Sequence, residues 1–148
     1  MQVTTFTVHK PARTKGSKTR GVRNDGTTFM RESGKYTKPF MRAVRAAAIA
    51  ARCPLLEGDV LISVVCEYRR PKSHYRANGF GLLASAPVRP WKGDSDKIAR
   101  AVLDSLPGVC YANDKQVRAH AVACAYGFED RVIVEVVPCP ASGAWKFG

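Results

Sequence analysis

A single α/β (α+β) domain is the fold this sequence predicts: a small mixed sheet, ending in a C-terminal antiparallel hairpin and covered by two main helices. Three observations predict it. Lys38–Arg52 and Ser95–Leu106 repeat apolar residues at helical spacing. Asp59–Tyr68 alternates with a period of two. Two further strand-like runs, Val117–Tyr126 and Arg131–Val137, are separated only by a short turn. At 148 residues the chain is one domain long, 1–148. A chain of that size buries roughly 70% of its unfolded surface.

Residues 3–8 (Val-Thr-Thr-Phe-Thr-Val) are β-branched and aromatic and read as a strand. The next segment, 10–24, interleaves Lys10, Arg13, Lys15, Lys18, Arg20 and Arg23 with Gly16, Ser17, Gly21 and threonines. Only Val22 could anchor it, so it reads as a mobile basic loop. Thr28–Met30 is a short strand. In Lys38–Arg52, Phe40, Val44, Ala47, Ala48 and Ala51 share one face, and Lys38, Arg42, Arg45 and Arg52 another. Pro39 is tolerated in the first turn and Pro54 stops the helix. Val60, Ile62, Val64, Cys66 and Tyr68 then mark the inward side of a sheet strand.

Segment 69–92 carries Arg69, Arg70, Lys72, Arg76, Arg89 and Lys92 among Pro71, Gly79, Pro87 and Pro90. It predicts a long functional loop. Its Tyr75, Phe80 and Trp91 either stack on bases or pin the loop to the body. In Ser95–Leu106, Ile98, Val102, Ser105 and Leu106 point one way, while Asp96, Arg100 and Asp104 line another face. Pro107 and Gly108 end that helix, Val109–Tyr111 is extended, and Asn113-Asp114 makes a turn. Ala119, Ala121, Ala123 and Ala125 give the next strand one smooth face, on which a helix could pack closely. Residues 138–148 read as a loose tail.

Charge narrows the function. Lys plus Arg number 24 against 12 acids, a formal net charge of +12, yet 45% of residues are hydrophobic. That is a folded body with a cationic field, and its expected partner is a polyanion. No apolar run approaches the ~20 residues of a membrane span. Met1–His9 lacks the basic start and apolar stretch of a secretory leader, so the cytoplasm is the expected address. Five dispersed cysteines (Cys53, Cys66, Cys110, Cys124, Cys139) without a C-x-x-C pair read as buried free thiols, not a disulfide framework or zinc site.

Scarce acids make their placement informative. Asp94 and Asp96 open the second helix, and Asp114 lies in the turn beyond it. Each has an ordinary reading: Asp94 as N-cap, Asp96 as a helix-dipole partner, Asp114 as an Asx turn. Lys97 in the first turn argues against a simple capping box. The other reading gathers all three. Like charges 4 Å apart repel by about 1–4 kcal/mol, so such a cluster needs a cation to offset it. Magnesium, with its preference for oxygen ligands, suits it and would activate a water against a phosphodiester.

These residues also carry a resemblance. Gly93-Asp94-Ser95-Asp96-Lys97-Ile98-Ala99-Arg100-Ala101-Val102-Leu103-Asp104-Ser105-Leu106, then Gly108-Val109 and Asn113-Asp114-Lys115-Gln116-Val117, resembles the RusA family of Holliday junction resolvases, often encoded by phages. Arg70-Pro71-Lys72-Ser73-His74-Tyr75 and Ser85-Ala86-Pro87 resemble the loop of its phage members, and the similarity spans most of the chain. The resemblance implies a homodimeric, Mg2+-dependent endodeoxyribonuclease with no small-molecule cofactor, which nicks four-way DNA junctions in recombination and repair. Asp94, Asp96 and Asp114 would be its catalytic metal ligands and Arg100 its cationic helper. Many members have Lys where Arg100 stands; Arg keeps the charge but does not readily give up a proton. Asn113 replaces a frequent Asp. Asp104 is similarly placed in relatives, or pairs with Arg100 across one helical turn. DNA contacts are expected from the 10–24 cations and from Arg70, Lys72, His74, Arg76, Lys92 and Lys97. The alternatives are a non-catalytic basic module that binds nucleic acid, or a nuclease that prefers flaps or forks.

Overall fold

Strand alternation and helical amphipathicity together produce a two-layer body. The computed structural model describes residues 2–15, 18–32, 35–90 and 94–140. In chain order these form β1 (Thr4–Val8), β2 (Lys18–Val22), β3 (Thr28–Glu32), α1 (Thr37–Ala50), β4 (Val60–Arg69), α2 (Ser95–Leu103), β5 (Val117–Gly127) and β6 (Arg131–Pro138). The mixed α/β class is as expected. The main sheet runs β1-β6-β4-β5, and β2 and β3 form a separate two-stranded sheet.

The sheet buries one face. Phe6 and Val8 from β1, Val60, Ile62, Val64, Cys66 and Tyr68 from β4, and Val132, Val134 and Val136 from β6 all point to the helical side. There they meet Phe40, Val44 and Ala48 of α1 and Ile98, Ala101 and Val102 of α2. The α1 helix contacts β1, α2 contacts β5, and the helices touch each other. Pro39 lies in the first turn of α1 as expected, and the Thr37 hydroxyl donates to Thr14 O at 2.9 Å. Residue Arg52 adopts a left-handed φ of 56° just past its end, ahead of Pro54. Arg45 leaves the basic stripe to donate to Pro107 O at 2.8 Å, tying α1 to the exit of α2. All five cysteines are free; burial pushes the Cys66 thiol up to about 12, with neighbouring Cys124 adding to it. Such thiols stay protonated and inert near neutrality.

Five expectations change. The last two strands do not form a hairpin. They run antiparallel, but β4 lies between them, parallel to β5 and antiparallel to β6. The connection 128–130 passes the end of β4, where Asp130 accepts the Arg69 N–H at 2.9 Å. The central strand satisfies backbone groups on both sides and buries a fully apolar face, which outweighs a local turn. Segment 10–24 is not simply a mobile loop: β2 pairs with β3 from Lys18↔Glu32 to Val22↔Thr28. Phe29 lies across Gly21, where a Cβ would come within 2.4 Å of the ring, and the Arg23 guanidinium sits 5.1 Å over that ring. A glycine covered by an aromatic ring, capped in turn by a cation, holds a hairpin with little other apolar content. Helix α2 ends at Leu103 rather than Leu106, with Leu106 still buried in the following turns. The tail begins later than 138, since β6 includes Pro138 and Cys139 N–H donates to Asp59 O at 2.8 Å. Tail residues 141–148 lie outside the described residues.

The alanine face also differs. Val117, Val122, Cys124 and Tyr126 of β5 pack towards the core, while Ala119, Ala121, Ala123 and Ala125 are exposed. Register continues their rows across the sheet: Ala119–Leu61–Val137, Ala121–Ser63–Glu135–Thr5, Ala123–Val65–Ile133–Thr7 and Ala125–Glu67–Arg131. Both helices lie on the other side, so no described helix covers these rows.

Phe40 is only 1% exposed and contacts the core of both layers. Phe40→Ala is expected to lower unfolding free energy by about 3–5 kcal/mol, read from the midpoint of a urea titration at unchanged slope.

Candidate active site

The second helix begins with its own cap. Asp94 Oδ1 accepts the Asp96 N–H at 3.2 Å, and the Asp94 backbone carbonyl accepts from Lys97 and Ile98 at 3.0 Å each. The ordinary capping role of Asp94 is therefore real. With Ile98 and Val102 buried, 3.6-residue periodicity turns Asp96, Arg100 and Asp104 onto the opposite, exposed face.

Asp114 is placed by a different device. Asn113 caps a single 3-10 turn, Asp114–Gln116, by accepting the Lys115 N–H at 2.9 Å. Gln116 completes the capping box: its Oε1 accepts from Ala112 N–H at 2.9 Å and Asn113 N–H at 3.1 Å. Its Nε2 donates to Leu56 O and Gly58 O, both at 2.8 Å. One amide thus closes the turn that carries Asp114 and binds it to the chain entering β4. Below it, fully buried Tyr111 donates its hydroxyl to Leu103 O at 2.7 Å. Burial raises the Tyr111 phenol well above its ordinary value, and Cys110, Asp104 and Asp114 nearby add to the rise. That phenol remains a donor at any working pH, and it ties the end of α2 to the Asp114 segment.

These devices bring the two elements around one concavity of about 530 Å³. It is lined by Asp96, Ala99, Arg100, Leu103, Asp104, Asp114, Val117 and His120. The cleft is an acidic patch in a chain of +12. Asp96 and Asp114, both exposed, make no salt bridge among the described residues. Asp104 is engaged, though not by Arg100: Lys15 Nζ reaches it at 2.8 Å, while Lys15 N–H donates to Lys97 O at 3.0 Å. The expected Asp104–Arg100 pair gives way because a lysine docked on α2 from another segment neutralises Asp104 and leaves the Arg100 fork free for the cleft.

His120 was not legible in the sequence. It lies far from the helical acids in the chain, and alternation alone does not give a strand's facing. In β5 it pairs with inward-facing Ile62, after a register shift between Val60 and Leu61, and this turns it to the helix side at the rim of the cleft. The irregularity at that point is the signal that resets the alternation.

Asp94 is not among the lining residues. No group of three His, Cys, Asp or Glu among the described residues stands close enough to hold a metal. The donors that do reach the cleft are mainly carboxylate oxygens, the chemistry a hard divalent cation takes.

Several expected DNA contacts have structural partners. Arg70 lies 4.0 Å over the Tyr126 ring and donates to Pro87 O at 2.8 Å, while His74 meets the same ring edge-on at 5.6 Å. His74 Nδ1 is covered and without a partner among the described residues. Both pin segment 70–90 to β5. That segment is a tied loop, with a Tyr75↔Leu82 bridge and Phe80, 79% exposed, at its tip. Phe80 therefore does not anchor it. Arg13 stacks on Tyr36 at 4.8 Å. Lys10, Arg20, Arg23, Lys72 and Arg76 are exposed, Lys97 is half-buried, and the backbone of Lys18 opens β2. Trp91 and Lys92 lie outside the described residues.

The family model described as "Endodeoxyribonuclease RusA" matches residues 10–137. Among curated proteins none matches this chain.

Gln116→Ala removes four hydrogen bonds and frees the Asp114 turn. It is expected to cost about 2–4 kcal/mol by denaturant titration, because partners of a deleted group are left unpaired as well. Gln116→Glu, which keeps the acceptor and loses the donor, should fall between the two.

Proposed function

From a chain that belongs to the RusA endodeoxyribonuclease family, we propose an enzyme that resolves Holliday junctions and related branched DNA by magnesium-dependent phosphodiester hydrolysis. It works as a homodimer making paired nicks, in recombination and repair within the cytoplasm. One observation carries the reading: Asp96 and Asp114, from separate elements, open into the same cleft beside Arg100 and His120 on a strongly basic body.

Asp96 and Asp114, which open into one cleft, would hold the metal through hard oxygen donors, with Asp94, the cap of α2 two residues from Asp96, as the third ligand that the resemblance implies. When bound, magnesium activates a water and neutralises charge on the leaving oxygen. The chain's own groups do the rest. Arg100 offers a two-pronged guanidinium donor to phosphate oxygens as charge builds on them. His120 adds an imidazole that can donate to the same phosphate. Asn113, whose side chain is spent on the cap, serves the shape of the turn. Phosphate contacts come from Lys18, Arg20 and Arg23 in the β2–β3 hairpin and from Lys72 and Arg76 in the tied loop. Lys15 contributes by neutralising Asp104.

The test is a labelled four-way junction incubated with magnesium, with and without chelator, beside a fork, a flap and linear duplex. Paired nicks in the junction, lost on chelation, are expected. Binding without cleavage in any divalent ion would make the chain a non-catalytic module. Faster cutting of forks or flaps would move the substrate. Asp96→Asn and Asp114→Asn should each abolish cleavage while junction binding survives. Replacing Lys18 and Arg20 by Gln should weaken binding and lower the slope of log affinity against log salt by up to about 1.8. An unchanged slope would remove the hairpin from the interface.

A further inference from the structure

Two phenylalanines stand almost wholly in solvent among the described residues, Phe128 at 101% exposure and Phe80 at 79%. Their surroundings differ in charge. Phe128 is followed by Glu129 and Asp130, which repel a phosphate backbone. Phe80 tops the 70–90 loop, with exposed Leu82 and Leu83 just beyond it. Lys72 and Arg76 share an open concavity of about 430 Å³ with Tyr75 and with Gly79, the residue before Phe80. The Arg76 stem also runs past Gly81, where a Cβ would lie 3.9 Å from its Cδ and Nε. A contiguous apolar tip rimmed by cations marks an interaction surface, and the cations make its partner an anion.

The tip is braced. Gly79 and Gly81, on either side of Phe80, take left-handed φ values of 78° and 80°. Glycine reaches these without strain, so the chain turns twice and leaves the ring at its apex. Asn78 Oδ1 accepts the Phe80 N–H at 2.9 Å, Arg76 O accepts the Gly79 N–H at 2.8 Å, and Gly81 O accepts the Arg76 N–H at 3.0 Å. Below them the Leu83 N–H donates to His74 O at 2.9 Å, beside the Tyr75↔Leu82 bridge. Arg70 and His74 then fix the base of the loop against Tyr126. A ring presented on so supported a tip gives up little freedom on binding.

We propose that Phe80 is a wedge for the branch point of DNA: its ring enters between two arms and stacks on an end base pair, while Lys72 and Arg76 take the neighbouring phosphates. In continuous duplex a wedge must first pull a base step apart, which costs a few kcal/mol. At a branch the stacking is already interrupted, so the same ring finds a base face at little cost. Phenylalanine has no polar group to read a base edge, so the contact selects structure and tolerates sequence. The inference rests on branched DNA as the ligand in the reading above, and names the feature of it that this loop recognises.

The full chain is titrated into a four-way junction carrying the fluorescent base aminopurine at the branch point, with calcium in place of magnesium. Matched samples carry the probe inside an arm or in linear duplex. Wild type should brighten the branch-point probe, as a base unstacked from its neighbour does, and leave the other two unchanged. Phe80→Ala should abolish the rise and weaken junction binding about 5- to 100-fold, with duplex binding unchanged and the same circular dichroism melt. Phe80→Tyr should keep both affinity and signal, and Phe128→Ala should behave as wild type. Phe80→Ala that keeps the signal, or that weakens junction and duplex equally, overturns the wedge. A wild type that cuts junctions in magnesium but leaves the branch-point probe dark overturns the wedge alone. One that binds junctions no better than duplex overturns the branched-DNA reading and the wedge with it.

Discussion

The Gln116 side chain is the constraint on which the site depends. Asp114 stands on a single 3-10 turn, which has too few backbone hydrogen bonds to hold itself. The Gln116 amide supplies the missing ones, with its oxygen on Ala112 and Asn113 and its nitrogen on Leu56 and Gly58. This couples the turn to the lead-in of β4, the most buried strand, and so to the core. Tyr111 and Lys15 perform the same service for the far end of α2. The cleft is thus assembled by neutral amide, phenol and ammonium groups around its rim, which leaves the carboxylates of Asp96 and Asp114 uncommitted. A site for a cation needs acids that the fold itself does not consume.

Much of the fold was legible because burial and periodicity agree. Phe40, Val44 and Ala48 had to share a helix face, and Val60 through Tyr68 had to share a strand face, whatever their neighbours. Pairing was less legible. A short turn between two antiparallel strands suggests a hairpin, but strand order is decided by where a third strand buries the most apolar surface. No local pattern in 117–137 records the claim of β4 on both sides. Of the β2–β3 hairpin, β3 was legible as Thr28–Met30, but β2 was read as loop, because what holds the pair is Phe29 lying on Gly21 under Arg23, a stack that no single window contains.

The site followed the same division. Asp94, Asp96 and Arg100 could be placed from helical spacing, because a helix fixes relative direction over two turns. Asp114 was legible as a turn residue, and its approach to α2 needed the three-dimensional packing. His120 needed the register shift at Val60/Leu61, which no reading of alternation contains. The pairing of Asp104 with Lys15, 89 residues away, lay equally beyond local inference, since surface lysines have long stems and many nearby acids to choose from.

The strand order also bears on how the chain reaches its native state. Because β4 separates β5 from β6, the closing segment has no nearby complement to zip against, and each of its strands must find a template some sixty residues earlier. Distant pairings of this kind carry a loop-closure penalty before they return any contact energy, so assembly is slow compared with a fold built on adjacent hairpins. Until the template is in place, the last two strands expose their valines and alanines together. That leaves the partly folded chain vulnerable to self-association before the sheet closes.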